Sequence, residues 1–174
     1  ACNDSRHERA LVRMGELSHA DSTGQARVVD VSEKPVTARY ARATGSIRMN
    51  PETLDAIRRN SLAKGDVLSV AKVAGVLAAK RTADLIPLCH SLPLSDIQVT
   101  LTLDDALPGV RCEATARTNA QTGVEMEAIT AVAISLVTVY DMAKAIDRAM
   151  SISDILLQEK SGGMTGSWKR RGEA

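Results

Sequence analysis

Thirteen consecutive residues, Ala128 to Tyr140, carry no charge, and they lie inside the stretch Thr122 to Ala145, TGVEMEAITAVAISLVTVYDMAKA. The run is too short to cross a bilayer and contains Thr and Ser, so it predicts a buried helix, continuing to near Met150. Its two ends differ. Glu125 and Glu127 open it after Gly123, and Asp141 and Lys144 close it one helical turn apart. Elsewhere the apolar period is two. Ile97, Val99, Leu101 and Leu103 alternate with Gln98, Thr100 and Thr102, and Pro108-Gly109 turns the chain. Val110, Cys112, Ala114 and Ala116 then alternate with Arg111, Glu113, Thr115 and Arg117. This is a hairpin with one wet face, and it puts Cys112 in the core. Val36 to Met49 predicts a strand of undefined register, Val28 to Lys34 a short extended piece, and Ile152 to Lys160 a last strand.

Between these lie two further helices. Asn50-Pro51 predicts a start, with Asn capping free amides and Pro at the first helical position, and an end near Asn60. Asp66 is the expected N-cap of the next, whose apolar positions Leu68, Ala71, Ala74 or Gly75, and Ala78 follow a helical period to Lys80. Their small size predicts close packing. Asp84 to Pro93, DLIPLCHSLP, is broken by Pro87 and Pro93 and reads as an ordered loop. The order βαββαβ predicts an α+β, ferredoxin-like fold, with helices on one face of an antiparallel sheet. Residues 1–16 read as an N-terminal extension, Ser18 to Ala26 as a polar surface turn, and 17–168 as one domain. Ser161 to Gly166 is a Gly-rich end, and residues from Trp168 on, with 169–174 as the boundary, form a basic mobile tail.

A chain of 174 residues suits a single core. The net charge of +1 provides no global field for nucleic acid or an anionic membrane, and an aromatic content of 2% leaves few platforms for stacking bases. Neither is expected as a partner. The three cysteines stand at no framework spacing, which predicts free thiols and a reducing, cytoplasmic setting. No HxxxH or CxxC spacing occurs, so no protein-built metal site is expected.

The stretches VVDVSEK, LAKGDVLSVAKVAGVLAAKRTADLIPLCHSLPLS, TGVEMEAITA, TVYDMAKA and EKSGG occur in this order between Leu17 and Trp168. Together they resemble the MoaC family, the cyclic pyranopterin monophosphate synthases of molybdenum cofactor biosynthesis. The resemblance implies a homohexamer, a trimer of dimers on a ferredoxin-like subunit. It implies conversion of the cyclised dihydro-GTP intermediate into cyclic pyranopterin monophosphate with loss of pyrophosphate. By the same resemblance Asp141 and Lys144 match the catalytic pair, joined by Lys64. His90, Glu125, Glu127 and Lys160 match other active-site positions. Leu88, Cys89 and His90, with Met126 and Glu127, match substrate contacts, and Arg39 and Lys80 match basic positions. Met164 stands where the family usually has a second basic residue. A catalytically weak paralogue that binds nucleotide or a partner enzyme is the alternative.

That chemistry requires cations or aimed amides for a triphosphate, positioned proton donors and acceptors for ring rearrangement, and stabilised charge on the departing pyrophosphate. Lys64, Lys80, Lys144, Lys160 and Arg39 serve the first and third needs; Asp141, Lys144, Glu125, Glu127 and His90 serve the second. Taken alone, Asp141 and Lys144 read equally well as an i,i+3 ion pair. A lysine at an apolar site would instead have a lowered pKa and could transfer protons. Glu125 and Glu127 face one side if extended and diverge if helical; Gly123 favours the extended form, although first-turn acids also suit a helix dipole. No cofactor is expected in the protein itself, with Mg²⁺ entering only alongside the triphosphate. Glu127 and Asp141 lie about 21 Å apart along a straight helix. One small ligand cannot span that within a copy, so composite sites at a dimer interface are expected, testable by mixing Lys64→Ala and Asp141→Ala chains.

Overall fold

The computed structural model describes residues 26–164 and 166–171. The extension expected over residues 1–16, and the turn expected from Ser18 up to Ala26, lie outside the described residues. Among the described residues five strands form one antiparallel sheet: β1 (Thr37–Arg48), β2 (Asp96–Asp104), β3 (Gly109–Ala120), β4 (Ser151–Ser161) and β5 (Trp168–Lys169), in spatial order β2-β3-β1-β4-β5. The helices are α1 (Pro51–Arg58), α2 (Val67–Lys80), the single turn α3 (Thr82–Leu85) and α4 (Glu125–Ala143). The order 2-3-1-4, with α2 and α4 packed together against the sheet, is the ferredoxin-like arrangement the patterning predicts.

The hairpin forms as its alternation dictates. Leu101 lies opposite Cys112 and Val99 opposite Ala114, and Cys112 is buried. On β1 the inward positions are Ala41, Ala43 and Ile47, all fully buried. These small side chains let α4 lie close to the sheet. The face of α4 that does so carries Ala128, Ala131, Val132, Leu136 and Val139, each completely out of water. Burying a Leu or Val of this kind contributes about 1.5–3 kcal/mol. On its other side α4 meets α2 so closely that a Cβ on Gly75 would collide with the Ser135 hydroxyl. The apolar run is therefore core, and only the two helix ends are available for chemistry.

Several boundaries differ from the sequence reading. The long helix stops at Ala143, not near Met150, because Asp147 is buried and its two oxygens accept from the Asn50 and Ala149 amides. Asn50 precedes α1 but makes no side-chain cap; its backbone carbonyl accepts from Thr53 and Leu54 instead. Asp66 caps α2 as expected, accepting from the Ser69 amide. Val28–Lys34 contains a turn and forms no strand. Trp168 and Lys169, expected in the mobile tail, pair with β4.

Candidate active site

Ionisable side chains gather at both ends of α4, and the two gatherings are built differently. At the C-terminal end, Asp141 lies on the last turn and Lys144 is the residue that ends the helix. Lys144 Nζ donates to Asp141 Oδ1 at 2.6 Å. Lys64 Nζ donates to Asp141 Oδ2 at 2.7 Å and to the Asp141 carbonyl at 3.0 Å. Lys64 reaches there because it sits in the turn before Gly65, just ahead of the Asp66 cap that starts α2. One carboxylate thus holds two ammonium groups. Lys144 first, and Lys64 second, pull the Asp141 carboxyl down to about 2. All three side chains are about half exposed, so in a single copy Lys144 does not sit at an apolar site. Lys64 and Asp141 therefore meet within one chain, so mixing Lys64→Ala with Asp141→Ala chains does not rebuild this cluster.

The N-terminal end is a cleft of about 400 Å³, lined by Lys34, Arg39, Gly123, Glu125, Lys160 and the Gly162–Gly163 turn, among others. Lys160 Nζ donates to Glu125 Oε1 at 2.7 Å. Arg39 has no carboxylate partner among the described residues; it donates from Nε to the Ala120 carbonyl and from Nη2 to that of Gln121, at 3.2 and 3.0 Å. Those two carbonyls fix the guanidinium without neutralising it. Gly162 and Gly163 have φ of +103° and +73°, and a Cβ on Gly163 would strike the Arg39 guanidinium. Only glycine lets the turn lie against this arginine.

Glu125 and Glu127 are both helical, which overturns the extended reading of their geometry. They diverge as helical neighbours must: Glu125 goes to Lys160 on β4, and Glu127 goes into the protein. Glu127 is 2% exposed. Its Oε1 accepts a long contact from Cys89 Sγ at 3.9 Å, and its Oε2 has no partner. Burial, and secondarily the nearby Glu125, push its carboxyl up. The Cys89 thiol is likewise pushed up, by burial and then by Glu127, which disfavours a nucleophilic thiolate.

The Pro-punctuated loop brings Leu88, Cys89 and His90, all half-buried, to this same end. His90 Nε2 lies 2.8 Å from the Val29 carbonyl, and Gln121 Nε2 donates to the Ser32 carbonyl at 3.1 Å. The VVDVSEK stretch is thereby tied to the site. Met126 is half-buried in the first turn of α4. Lys80 ends α2, which starts beside Asp141 and so runs antiparallel to α4; this places Lys80 toward the N-terminal end, exposed and in no described contact. Lys34 also lines the cleft, and its one signal in the sequence is its place as the last residue of VVDVSEK. Among the described residues no three His, Cys, Asp or Glu side chains converge as a metal set.

The MoaC family is matched over residues 28–163. Relatives named cyclic pyranopterin monophosphate synthase include that of Thermomicrobium roseum, 55% identical over 90% of this chain and 95% of the relative. The one from Cereibacter sphaeroides is 54% identical over 90% and 98%, and that from a Methylobacterium species 57% over 89% and 97%.

Proposed function

The chain belongs to the MoaC family, and we propose that it performs the reaction for which those relatives are named. It is a phosphorus–oxygen lyase that converts 3',8-cyclo-7,8-dihydroguanosine 5'-triphosphate into cyclic pyranopterin monophosphate and pyrophosphate, in molybdenum cofactor biosynthesis in the cytoplasm. The observation that carries the division of labour is the charge arrangement on α4: a saturated Lys64–Asp141–Lys144 cluster at one end, an unneutralised Arg39 beside Lys160 at the other. Asp141, held near 2, is a carboxylate throughout the neutral range, so it orients and polarises the two lysines and does not donate protons. Lys64 and Lys144 are the proton-bearing groups at the reacting ring. Arg39, Lys160 and Lys34 take the triphosphate and stabilise charge on the departing pyrophosphate, with Lys80 as a further cation at that end. Leu88, Cys89, His90, Met126 and Glu127 form the wall against the heterocycle. Glu125, the acid in the cleft, is engaged by Lys160, so any Mg²⁺ is held by the triphosphate's own oxygens.

The two ends are too far apart to serve one ligand in one copy, so the sites are composite, each drawing the Asp141 cluster from one copy and the cleft from another. The outer helix layer supports such assembly: Val70, Val73 and Leu77 of α2 and Val137 of α4 are exposed, the first three on one helical face. A hexamer built as a trimer of dimers suits this. The test is single-turnover conversion of the cyclised intermediate. Product from this chain and none from Asp141→Asn supports the assignment; no product from either supports the weak paralogue and overturns it.

A further inference from the structure

The basic run after the glycine turn does not trail into solvent. Residue by residue, β5 sets Trp168 opposite Lys160 and Lys169 opposite Glu159. Arg170 then fastens the segment, its amide donating to the Gln158 carbonyl at 2.8 Å and its Nε to that of Leu157 at 2.9 Å. Its guanidinium lies 5.8 Å from the centre of the Trp168 ring. The fold-back encloses a second cleft, of about 310 Å³, lined by Tyr40, Glu159, Lys160, Ser161, Ser167, Trp168 and Lys169. Tyr40, Lys160 and Ser161 also line the larger cleft, so the two are adjacent compartments with Lys160 on their shared wall.

Charge distinguishes the occupants. Glu159, the acid in the second cleft, is engaged by Arg42 Nε at 3.2 Å and by the Tyr40 hydroxyl at 3.1 Å. Lys160 is engaged by Glu125. Lys169 faces Glu159 across the strand pair and helps to lower that carboxyl's pKa, but forms no ion pair within 4 Å among the described residues. Ser161, Ser167 and the exposed Trp168 complete the lining of this open cleft. We propose that Lys169, positioned by β5 and Trp168, is a further phosphate-binding residue, holding the pyrophosphate part of the substrate beyond Lys160. This rests on the reading of the larger cleft as the triphosphate site.

The assembled full-length protein is titrated with inorganic pyrophosphate by calorimetry, and turnover is measured in parallel. Lys169→Met is expected to weaken pyrophosphate binding and raise KM by about three- to tenfold, the loss of one charge-assisted contact at a partly wet site. Lys169→Arg retains most of the affinity, and kcat changes by less than about twofold. Arg171→Met, one charge in the same run but outside the cleft, leaves both parameters unchanged. Undiminished pyrophosphate affinity in Lys169→Met overturns the proposal, as does an equal loss in Arg171→Met, which would mean only a general field. Either result, with normal turnover by the unmodified chain, leaves the assigned reaction standing; absent turnover counts against the reaction, and the titration still decides the role of Lys169.

Discussion

Asp141 and Glu127 are carboxylates on the same helix, and their surroundings drive them in opposite directions. Asp141 stands half in water with both oxygens taken by ammonium groups, and its proton is lost well below the ordinary range. Glu127 lies out of water with one oxygen unpartnered, and its proton is held more tightly than usual. The same contrast extends to the cations. Lys64 and Lys144 are matched within the chain, whereas Arg39 is fixed by carbonyls that leave its charge intact. The C-terminal end sets two cations on one carboxylate, a fixed excess of positive charge, before ligand arrives; the N-terminal end leaves Arg39 without a carboxylate partner among the described residues, open to an anion. Preorganised charge suits chemistry and unmatched charge suits binding.

The largest effect that tests this contrast is at Asp141. Asp141→Asn keeps the shape but can no longer hold two ammonium groups, and kcat should fall by about 10²-fold or more with KM little changed. A raised KM with intact kcat would instead make this the binding end. Mixing Asp141→Asn with Arg39→Met chains comes next. If each site joins opposite ends of two copies, random pairing should restore about a quarter of wild-type activity. The mixture of Lys64→Ala and Asp141→Asn should restore none, because both residues act from the same chain. Activity from the second mixture would break the arrangement.

At the cleft, Gly163→Ala should raise KM about tenfold with a smaller fall in kcat, since the new methyl displaces Arg39, which binds the triphosphate and also stabilises the departing pyrophosphate, and strains a positive φ. Steady-state kinetics with a thermal melt separates that from simple unfolding. Local patterning is obeyed in the hairpin's alternation, in Asp66 before its helix and in the apolar run of α4, but not at Asn50, whose side chain makes no cap, nor in Val28–Lys34, which forms no strand. Glu125 and Glu127 are helical rather than extended because Gly123 lies outside the helix, where it leaves room for the Glu125 carboxylate and does not interrupt the backbone of α4.

The smallest effect concerns protons. Below about pH 4.5 Glu127 is protonated in folded and unfolded chains alike. Above that value the unfolded chain releases its proton first, so the folded protein loses stability as pH rises through the window up to the raised folded value. Glu127→Gln removes that slope and should stabilise the protein at neutral pH, with no gain near the unfolded value. Melts across that range check it; parallel curves for the two proteins would mean Glu127 is ionised when folded. Asp141 has the opposite sign. Its contribution is present above its ordinary value of 3.8 and lost as pH falls toward about 2, and NMR titration of Lys144→Met should show that carboxyl moving back up.

The amino-acid sequence by itself determined the main helices and strands, the fold class and the residue types at each end of α4, because periodicity and capping act over a few neighbouring residues. It also placed the stretches that mark the family. What only the tertiary structure decided is which charges meet. Lys64 and Asp141 are 77 residues apart, Arg39 and the Ala120 carbonyl 81, and Lys160 and Glu125 35. Those meetings follow from strand register and from the close approach of α2 to α4, and neither leaves a local trace. The same holds for Trp168 and Lys169, whose composition reads as a tail and whose backbone pairs with β4 because an open sheet edge was there to receive it.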